Sequence, residues 1–165
     1  MELKSYIRDV PDFPIPGILF RDITPLLTDA KALQFACQQL VATVDLDQID
    51  VFVGIESRGF IFASYLAALY KKGFLPLRKA GKLPPPVISE SYNLEYGTAT
   101  LETCQGKQRI MILDDVLATG GTLEASIKLC QKAGYHVEAV AVLINLTNLN
   151  KMKFNKKDIH SVIKY

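Results

Sequence analysis

The chain has 165 residues, which is enough for one compact domain with its own core and too few to expect two. Hydrophobic residues make up 49% of the chain, charged residues 22%, and the formal net charge is +2, so the composition gives no sign of a nucleic-acid partner. The first ten residues lack a basic leader and an apolar stretch, and no segment approaches eighteen apolar residues. We therefore expect neither a secretory leader nor a membrane partner.

The periodicity of apolar residues predicts strands that alternate with helices. In chain order it predicts a helix over 29–44, a strand over 51–55, a helix over 58–72, a strand over 74–77, a strand over 108–115, a helix over 121–133 and a strand over 136–146. Nearly continuous apolar strands separated by helices are typical of a parallel sheet covered on both faces. The sequence therefore predicts an α/β fold with a mostly parallel central sheet flanked by helices.

The segment 84–104 interrupts this pattern. It begins with three consecutive prolines and continues with polar and aromatic residues that follow no sustained helical or strand period. Long loops inside compact domains are usually functional lids or disordered. We predict a long flexible lid loop here.

The spacing of the cysteines and histidines does not predict a metal site. Cys37, Cys104 and Cys130 are widely spaced and odd in number, and neither His136 nor His160 lies near a cysteine or at helical i, i+4 spacing from another ligand. This pattern predicts reduced thiols in a cytoplasmic protein rather than a disulfide framework. A structural metal site and a catalytic histidine triad are not expected.

Two acids and a small-residue loop follow the third core strand. Asp114 and Asp115 stand at the predicted carboxyl end of that strand, where open α/β sheets bind ligands, and 118–122 reads Ala-Thr-Gly-Gly-Thr at the start of a helix. Free N–H groups at a helix N-terminus suit a phosphate, and vicinal sugar hydroxyls can donate to the acids. The pair predicts a ribose phosphate site. A plain strand-to-helix turn and a solvated pair of acids remain open alternatives.

The stretch I-M-I-L-D-D-V-L-A-T-G-G-T at 110–122 closely resembles the phosphoribosyl pyrophosphate motif of type I phosphoribosyltransferases. Four further blocks resemble, in the same order, the members of that family that use adenine: P-D-F-P-I-P-G-I-L-F-R-D-I-T-P-L-L at 11–27, G-I-E-S-R-G-F at 54–60, R-K-A-G-K-L-P at 78–84 and S-Y-N-L-E-Y-G at 91–97. The resemblance implies the type I phosphoribosyltransferase fold, as a single domain over 1–165. It also implies a lid over about 84–104 and a small hood built from about 1–28 and the C-terminal segment.

The resemblance further implies a reaction. Adenine and 5-phosphoribosyl 1-pyrophosphate would give AMP and pyrophosphate in purine salvage, with Mg²⁺ as cofactor and a homodimer as the assembly. A non-catalytic regulator that senses purines or phosphoribosyl pyrophosphate on the same fold remains the alternative, because fold and ligand site alone do not establish catalysis.

The implied sugar and phosphate contacts come from the matched motif. Asp114 and Asp115 would hold the ribose hydroxyls and stabilise a cationic sugar, and the 5-phosphate would bind Ala118, Thr119, Gly120, Gly121 and Thr122. Mg²⁺ would be held mainly by the substrate, with Asp114 or Asp115 as the candidate protein ligand.

The pyrophosphate side is implied by two other blocks. Its matching residues are Ser57, Arg58, Arg78, Lys79 and Lys82, and the peptide between Glu56 and Ser57 is expected to be cis, as in relatives. For the three residues of the basic block, a solvated cluster of cations is the alternative interpretation. Relatives often carry a second basic residue where this chain has Ala80.

The base and lid contacts complete the implied site. Backbone groups of Leu19, Phe20 and Arg21 would recognise adenine, with Phe20 stacked on the ring and Leu146 facing its other side. Phe20 as a simple core residue is the alternative. In the lid, Tyr96 would contact the substrate and Glu95 would handle a proton on the base, unless Glu95 is an exposed loop acid. Glu95, Arg58, Asp114 and Asp115 are the candidate catalytic residues.

The end of the last core strand bears on the choice of base. Enzymes for 6-oxopurines present a lysine there, whereas this chain has Ile144, Asn145 and Leu146, and no lysine follows until Lys151. Adenine relatives commonly have an acid in place of Asn145 and a Gly-Arg pair in place of Asn150-Lys151. A 6-oxopurine substrate is therefore disfavoured.

Overall fold

The structure is a computed structural model that describes residues 1–94 and 97–165. Its α-helices are α1 Thr24–Thr28, α2 Ala30–Leu40, α3 Gly59–Tyr70 and α4 Gly121–Lys132. Its strands are β1 Arg8–Val10, β2 Phe20–Asp22, β3 Val51–Ile55, β4 Gly73–Lys79, β5 Ile88–Leu94, β6 Gly97–Thr103, β7 Arg109–Leu117, β8 His136–Asn145, β9 Lys153–Phe154, β10 Lys157–Asp158 and β11 His160–Lys164. Two short 3-10 helices cover Leu3–Tyr6 and Leu46–Gln48.

Seven strands form one sheet in the order β11-β8-β7-β3-β4-β6-β5. The first five strands of that order pair in parallel, whereas β6 pairs antiparallel with both β4 and β5. The predicted mostly parallel sheet is confirmed. Its central strands are apolar on both faces because helices cover both faces.

Successive residues of a strand point to opposite faces of the sheet, and the core is divided accordingly. Met111 and Leu113 of β7 pack with helices α2 and α3 on one face. Ile110 and Ile112 pack with α4 on the other face. All four side chains are fully buried, so β7 is the centre of the molecule and gives a rigid base to the loop at its carboxyl end.

The segment 84–104 differs from the prediction. The expectation of an irregular loop was wrong for 88–94 and 97–103, which form the antiparallel strands β5 and β6, paired from Ile88 with Thr103 to Leu94 with Gly97. Along β5, Ile88, Glu90 and Tyr92 are half-buried while the residues between them are exposed. This alternation is a strand period, but it is hard to see in the sequence because polar residues occupy most of both faces.

The strand that carries the acids is also longer than predicted. β7 continues to Leu117, so Asp114 and Asp115 lie inside the strand rather than at its end. Pairing with β8 explains the extension, because Val116 and Leu117 are in register with Ile144 and Asn145.

Small elements from both ends of the chain surround the carboxyl ends of the core strands. β1 and β2 form a two-stranded ribbon, β9 and β10 form another, and β11 adds a parallel edge strand beside β8. Within 1–94 and 97–165, no helix has the length and apolar character needed to cross a membrane.

Candidate active site

A cavity of about 1100 Å³ opens between the carboxyl ends of the core strands and the N-terminal segment. It is lined by residues from five separate regions: Gly17, Ile18, Leu19, Arg21, Asn93, Leu94, Ala118, Thr119, Gly121, Thr122, Leu146, Asn148, Leu149 and Tyr165. The cavity therefore joins residues predicted for the phosphate to residues predicted for the base.

The residues 118–122, which we call the phosphate loop, follow β7 and include the first two residues of α4. They line a separate small cavity of about 90 Å³ together with Asp114. Gly120 has φ of +98°, a left-handed conformation that glycine adopts without steric cost. In the described parts of the chain, no side chain caps the N-terminus of α4. The loop thus offers backbone N–H groups and the positive end of a helix dipole to an anion.

The two acids of β7 have different surroundings. Asp115 is only 6% exposed, and its Oδ2 lies 2.7 Å from Nε of Arg58. Asp114 is half-buried, borders the small cavity, and accepts a hydrogen bond from the backbone N–H of Asp115 at 2.9 Å. Asp114 is therefore the acid directed at the cavity, and Asp115 is held by a cation.

Burial dominates the titration of both acids. It raises the pKa of Asp114 well above the ordinary value, and repulsion from Asp115 raises it further. Burial also raises the pKa of Asp115, although the Arg58 guanidinium opposes this shift. Burial and mutual repulsion disfavour the charged forms of these two adjacent carboxyl groups. Hydroxyl donors or a cation beside them would stabilise the charged forms.

The residues 56–58, which we call the pyrophosphate loop, connect β3 to α3. The Glu56–Ser57 peptide is cis, as the resemblance implies, and Ser57 is exposed. The Glu56 carboxylate accepts from Arg78 Nε at 3.2 Å and from the backbone N–H of Lys79 at 2.8 Å. These bonds, that from Arg78 foremost, lower the pKa of Glu56. Glu56, which we did not predict as a functional residue, thus fastens the loop to β4.

The predicted basic residues are not equivalent. Arg78 is engaged by Glu56, and its guanidinium also lies 6.0 Å from the ring centroid of Phe60. Lys79 and Lys82 are exposed. Arg78 therefore acts on the pyrophosphate loop itself, and the two lysines extend toward solvent beside it.

The predicted base residues are divided between two cavities. Leu19, Arg21 and Leu146 line the large cavity. Phe20 instead lines a neighbouring cavity of about 380 Å³, where the Arg58 guanidinium lies 4.8 Å from its ring centroid. Arg58 also donates from Nη1 to the backbone oxygen of Arg21 at 3.4 Å. Arg58 therefore links the acid pair to the base segment 19–21.

The hairpin β5–β6 covers the phosphate loop. Thr122 Oγ1 donates to the Tyr92 hydroxyl at 3.4 Å, and Lys132 of α4 donates to the backbone oxygen of Ser89 at 2.8 Å. Glu95 and Tyr96, predicted for proton transfer and substrate binding, lie outside the described residues.

Comparison with known proteins agrees with this geometry. Residues 26–164 match the model of the phosphoribosyl transferase domain. The chain belongs to the phosphoribosyltransferase family. Along the full length of both chains, this phosphoribosyltransferase is 61% identical to the adenine phosphoribosyltransferase of Bdellovibrio bacteriovorus.

Solved structures give the same result. The adenine phosphoribosyltransferase of Rhodothermus marinus superimposes with a TM-score of 0.90 at 46% identity, and the comparison covers 99% of this chain and 96% of that one. The Giardia lamblia enzyme, solved with 9-deazaadenine, gives a TM-score of 0.90 at 37% identity with the same two coverages. The predicted family and fold are confirmed.

Besides Glu56, other residues of this candidate site escaped prediction from the sequence, among them Tyr92, Tyr165 and Asn150. Tyr92 reaches Thr122 from the hairpin, Tyr165 lines the large cavity, and Asn150 contacts the phosphate loop at Ala118. Tyr92 stands in the S-Y-N-L-E-Y-G block and could have been noticed there. Asn150 stands where adenine relatives commonly have the first residue of a Gly-Arg pair, and Tyr165 lies outside the five matching blocks.

Proposed function

We propose that this phosphoribosyltransferase transfers the 5-phosphoribosyl group of 5-phosphoribosyl 1-pyrophosphate to adenine, forming AMP and pyrophosphate in purine salvage. The observation that carries the proposal is the single cavity shared by Thr119 and Thr122 of the phosphate loop and by Leu19 and Leu146 near the predicted base site. The full-length likeness to enzymes named adenine phosphoribosyltransferase supports adenine as the base.

The sugar would be held at both of its ends. The 5-phosphate would occupy the small cavity and accept from the backbone N–H groups of 118–122. The ribose hydroxyls would donate to Asp114, which has Asp115 beside it. Burial raises the pKa of both carboxyl groups, and these hydrogen bonds would favour their ionised forms. Ionised acids beneath the ring would stabilise the positive charge that develops as the bond to pyrophosphate breaks.

The pyrophosphate would lie over the pyrophosphate loop. Ser57 and Arg58 border this side, and exposed Lys79 and Lys82 would neutralise part of its charge. Arg78 would act indirectly, because its guanidinium is bonded to Glu56 and so keeps the loop in position. Arg58 would border the leaving group and would also keep Asp115 oriented through their ion pair.

Magnesium fits the donors present if the substrate brings most of its ligands. The described residues contain no group of three or more acid, cysteine or histidine side chains that would hold a metal alone. Asp114 is half-buried beside the phosphate loop and offers one carboxylate, and Mg²⁺ commonly binds one or two carboxylates plus substrate phosphates. When bound, Mg²⁺ would neutralise charge on the departing pyrophosphate.

Adenine would bind against the base segment. Its exocyclic amine and ring nitrogens need one acceptor and one donor at matched spacing, which the backbone of 19–21 can supply. Leu19 and Leu146 would provide apolar walls. The hairpin β5–β6 would act as the lid, and Glu95 and Tyr96, which lie outside the described residues, keep their predicted roles in proton handling and substrate contact.

We also propose a homodimer that works in the cytoplasm. Three apolar side chains on the α3–β4 surface are strongly exposed, namely Ile61 at 36%, Leu69 at 44% and Phe74 at 40%. An exposed apolar surface of this kind suits a second copy of the chain. All three cysteines are free thiols, which suits a reducing compartment.

The test is product formation by purified protein with phosphoribosyl pyrophosphate and Mg²⁺, offering adenine, hypoxanthine and guanine separately. We expect AMP from adenine and no nucleotide from the other two bases. Product from a 6-oxopurine would keep the reaction and overturn the base assignment. No product from any base would favour the ligand-sensing regulator.

A further inference from the structure

We infer that Asn150 is a positioning residue that holds the phosphate loop in its binding shape. The inference rests on the proposed function, because it deepens the role of the 5-phosphate site. Asn150 follows β8 and precedes β9, and its side chain reaches the first residue of the phosphate loop. In the described parts of the chain, it borders neither of the two cavities that the phosphate loop lines.

Its amide nitrogen is surrounded by acceptors. Nδ2 lies 2.8 Å from the backbone oxygen of Ala118, 3.1 Å from the backbone oxygen of Leu146 and 3.1 Å from Oδ1 of Asn145. On the other side of the amide, Oδ1 accepts from the backbone N–H of Met152 at 3.2 Å. The opposite orientation of the amide would place Oδ1 against three oxygens and Nδ2 against an N–H donor, so only one orientation fits these neighbours.

The contact with Ala118 controls the direction of the next N–H group. A trans peptide is planar, so its C=O and N–H point in opposite directions. The Ala118 oxygen points to Asn150 behind the loop, and the N–H of Thr119 therefore points to the opposite side, toward the phosphate cavity that Thr119 lines. Asn150 thus orients a phosphate donor without touching the phosphate.

A second contact from the same segment supports this arrangement. Met152 packs behind Gly120, where its Sδ would lie 3.3 Å from any Cβ added at that glycine. The loop is otherwise fastened through the strand end, where Leu146 donates to the backbone oxygen of Leu117 at 2.9 Å. Asn150 joins both supports, because it bonds to Leu146 and to Met152.

The test compares ribose 5-phosphate binding by calorimetry in four proteins: the wild type, Asn150→Asp, Asn150→Ala and Asn155→Asp. In Asn150→Asp, a carboxylate oxygen replaces the donor and faces three oxygens. Asn150→Ala removes the donor without adding that repulsion. Asn155→Asp makes the same charge change at an exposed position of the same segment and serves as the control.

We expect Kd for ribose 5-phosphate to rise about tenfold or more in Asn150→Asp, because the hydrogen bond from the Thr119 N–H to the charged phosphate is weakened. Kd should rise less in Asn150→Ala and less than twofold in Asn155→Asp. KM for phosphoribosyl pyrophosphate should rise with it, while KM for adenine stays within twofold. A residue needed only for stability would lower Tm without this separation.

The outcomes distinguish the two proposals. If the wild type binds ribose 5-phosphate and both Asn150 variants bind it within twofold, the role of Asn150 is overturned and the function stands. If the wild type itself binds no ribose 5-phosphate, the proposed function fails. If Asn150→Asp does not fold, as judged by circular dichroism, Asn150→Ala decides the matter.

Discussion

Some residues of this site face the proposed ligand, and others hold the ligand-facing residues in position. Asp114 borders the phosphate cavity, whereas the adjacent Asp115 is paired with Arg58. Arg58 in turn contacts the ring of Phe20 and the backbone oxygen of Arg21. A change at Arg58 is therefore expected to disturb the sugar, the pyrophosphate and the base together.

Replacing each acid of the pair should have opposite effects on stability. Asp114→Asn should lower turnover about a hundredfold and yet raise Tm near neutral pH, because it removes a buried charge that repels Asp115. Asp115→Asn should lower Tm, because it leaves Arg58 without its partner.

The pH dependence gives a second readout for Asp114. Since the folded-state pKa of this carboxyl is raised, the group destabilises the fold increasingly as pH rises from the ordinary pKa of 3.8 to the folded-state pKa, and this cost disappears only below the ordinary value. The Tm advantage of Asp114→Asn should therefore be largest near pH 8 and shrink as pH falls. Melting curves by differential scanning calorimetry from pH 5 to 8 measure this. A Tm difference that does not change with pH would exclude Asp114 as the source of the destabilising charge.

At the scale of elements, the site depends on how closely α3 approaches β7. A Cβ added at Gly59 would lie 2.7 Å from the backbone oxygen of Leu113 and 3.1 Å from Oδ1 of Asp114. Gly59 is therefore what allows the pyrophosphate loop and the acid strand to lie side by side. The positions of Arg58 and Asp114 depend on this contact between backbones.

Gly59→Ala should destabilise the fold and the site together. We expect a loss of about 2 kcal/mol in the free energy of unfolding, which lowers Tm by about 4 to 8 °C, because the methyl group meets backbone that cannot move aside. Activity should fall even at temperatures where the variant is folded. Ala68→Ser, which adds one atom at an exposed position of α3, is the control. Equal melting temperatures for both variants would contradict the close approach.

The same scale explains what could be predicted from the sequence. β3, α3, β7, α4 and β8 were predicted to within a few residues because buried parallel strands, the largely apolar helix α3 and the amphipathic helix α4 leave strong apolar patterns. The hairpin β5–β6 was missed because its alternating side chains are mostly polar. Asn150 was missed as a site residue because its role depends on contacts made after folding, and the sequence pattern around an asparagine in a loop does not predict such contacts.

At the scale of the whole molecule, most of the exposed apolar side chains of the described residues, Met1 and Ile15 apart, fall into two groups. Phe13, Ile18, Leu19, Leu94 and Leu149 belong to the segments around the site, and most of them line its large cavity. Ile61, Leu69 and Phe74 lie on the α3–β4 surface, where Phe74 packs edge-on against Phe60 at 5.9 Å between centroids. The proposed ligand would cover the first group, and the second group is the surface proposed for a second copy of the chain.

The double variant Leu69→Glu with Phe74→Glu should convert the proposed dimer to a monomer. Light scattering after size exclusion should give half the mass of the wild type, because two charges per copy would be buried in the interface. Gln131→Glu, which adds a charge at an exposed position of α4, should leave the mass unchanged. A wild-type protein that already has the mass of one chain would contradict the dimer.

The position of Tyr165 in the chain bears on the order in which the site assembles during synthesis. Its ring lines the large cavity and receives the Arg21 guanidinium at 3.8 Å from the ring centroid, while its backbone bonds to Asn145 and Thr147. Arg21 belongs to the base segment, which leaves the ribosome more than a hundred residues before Tyr165. The nascent chain can therefore pair β3, β7 and β8 first, but it cannot complete the wall of the proposed base site until residue 165 has emerged.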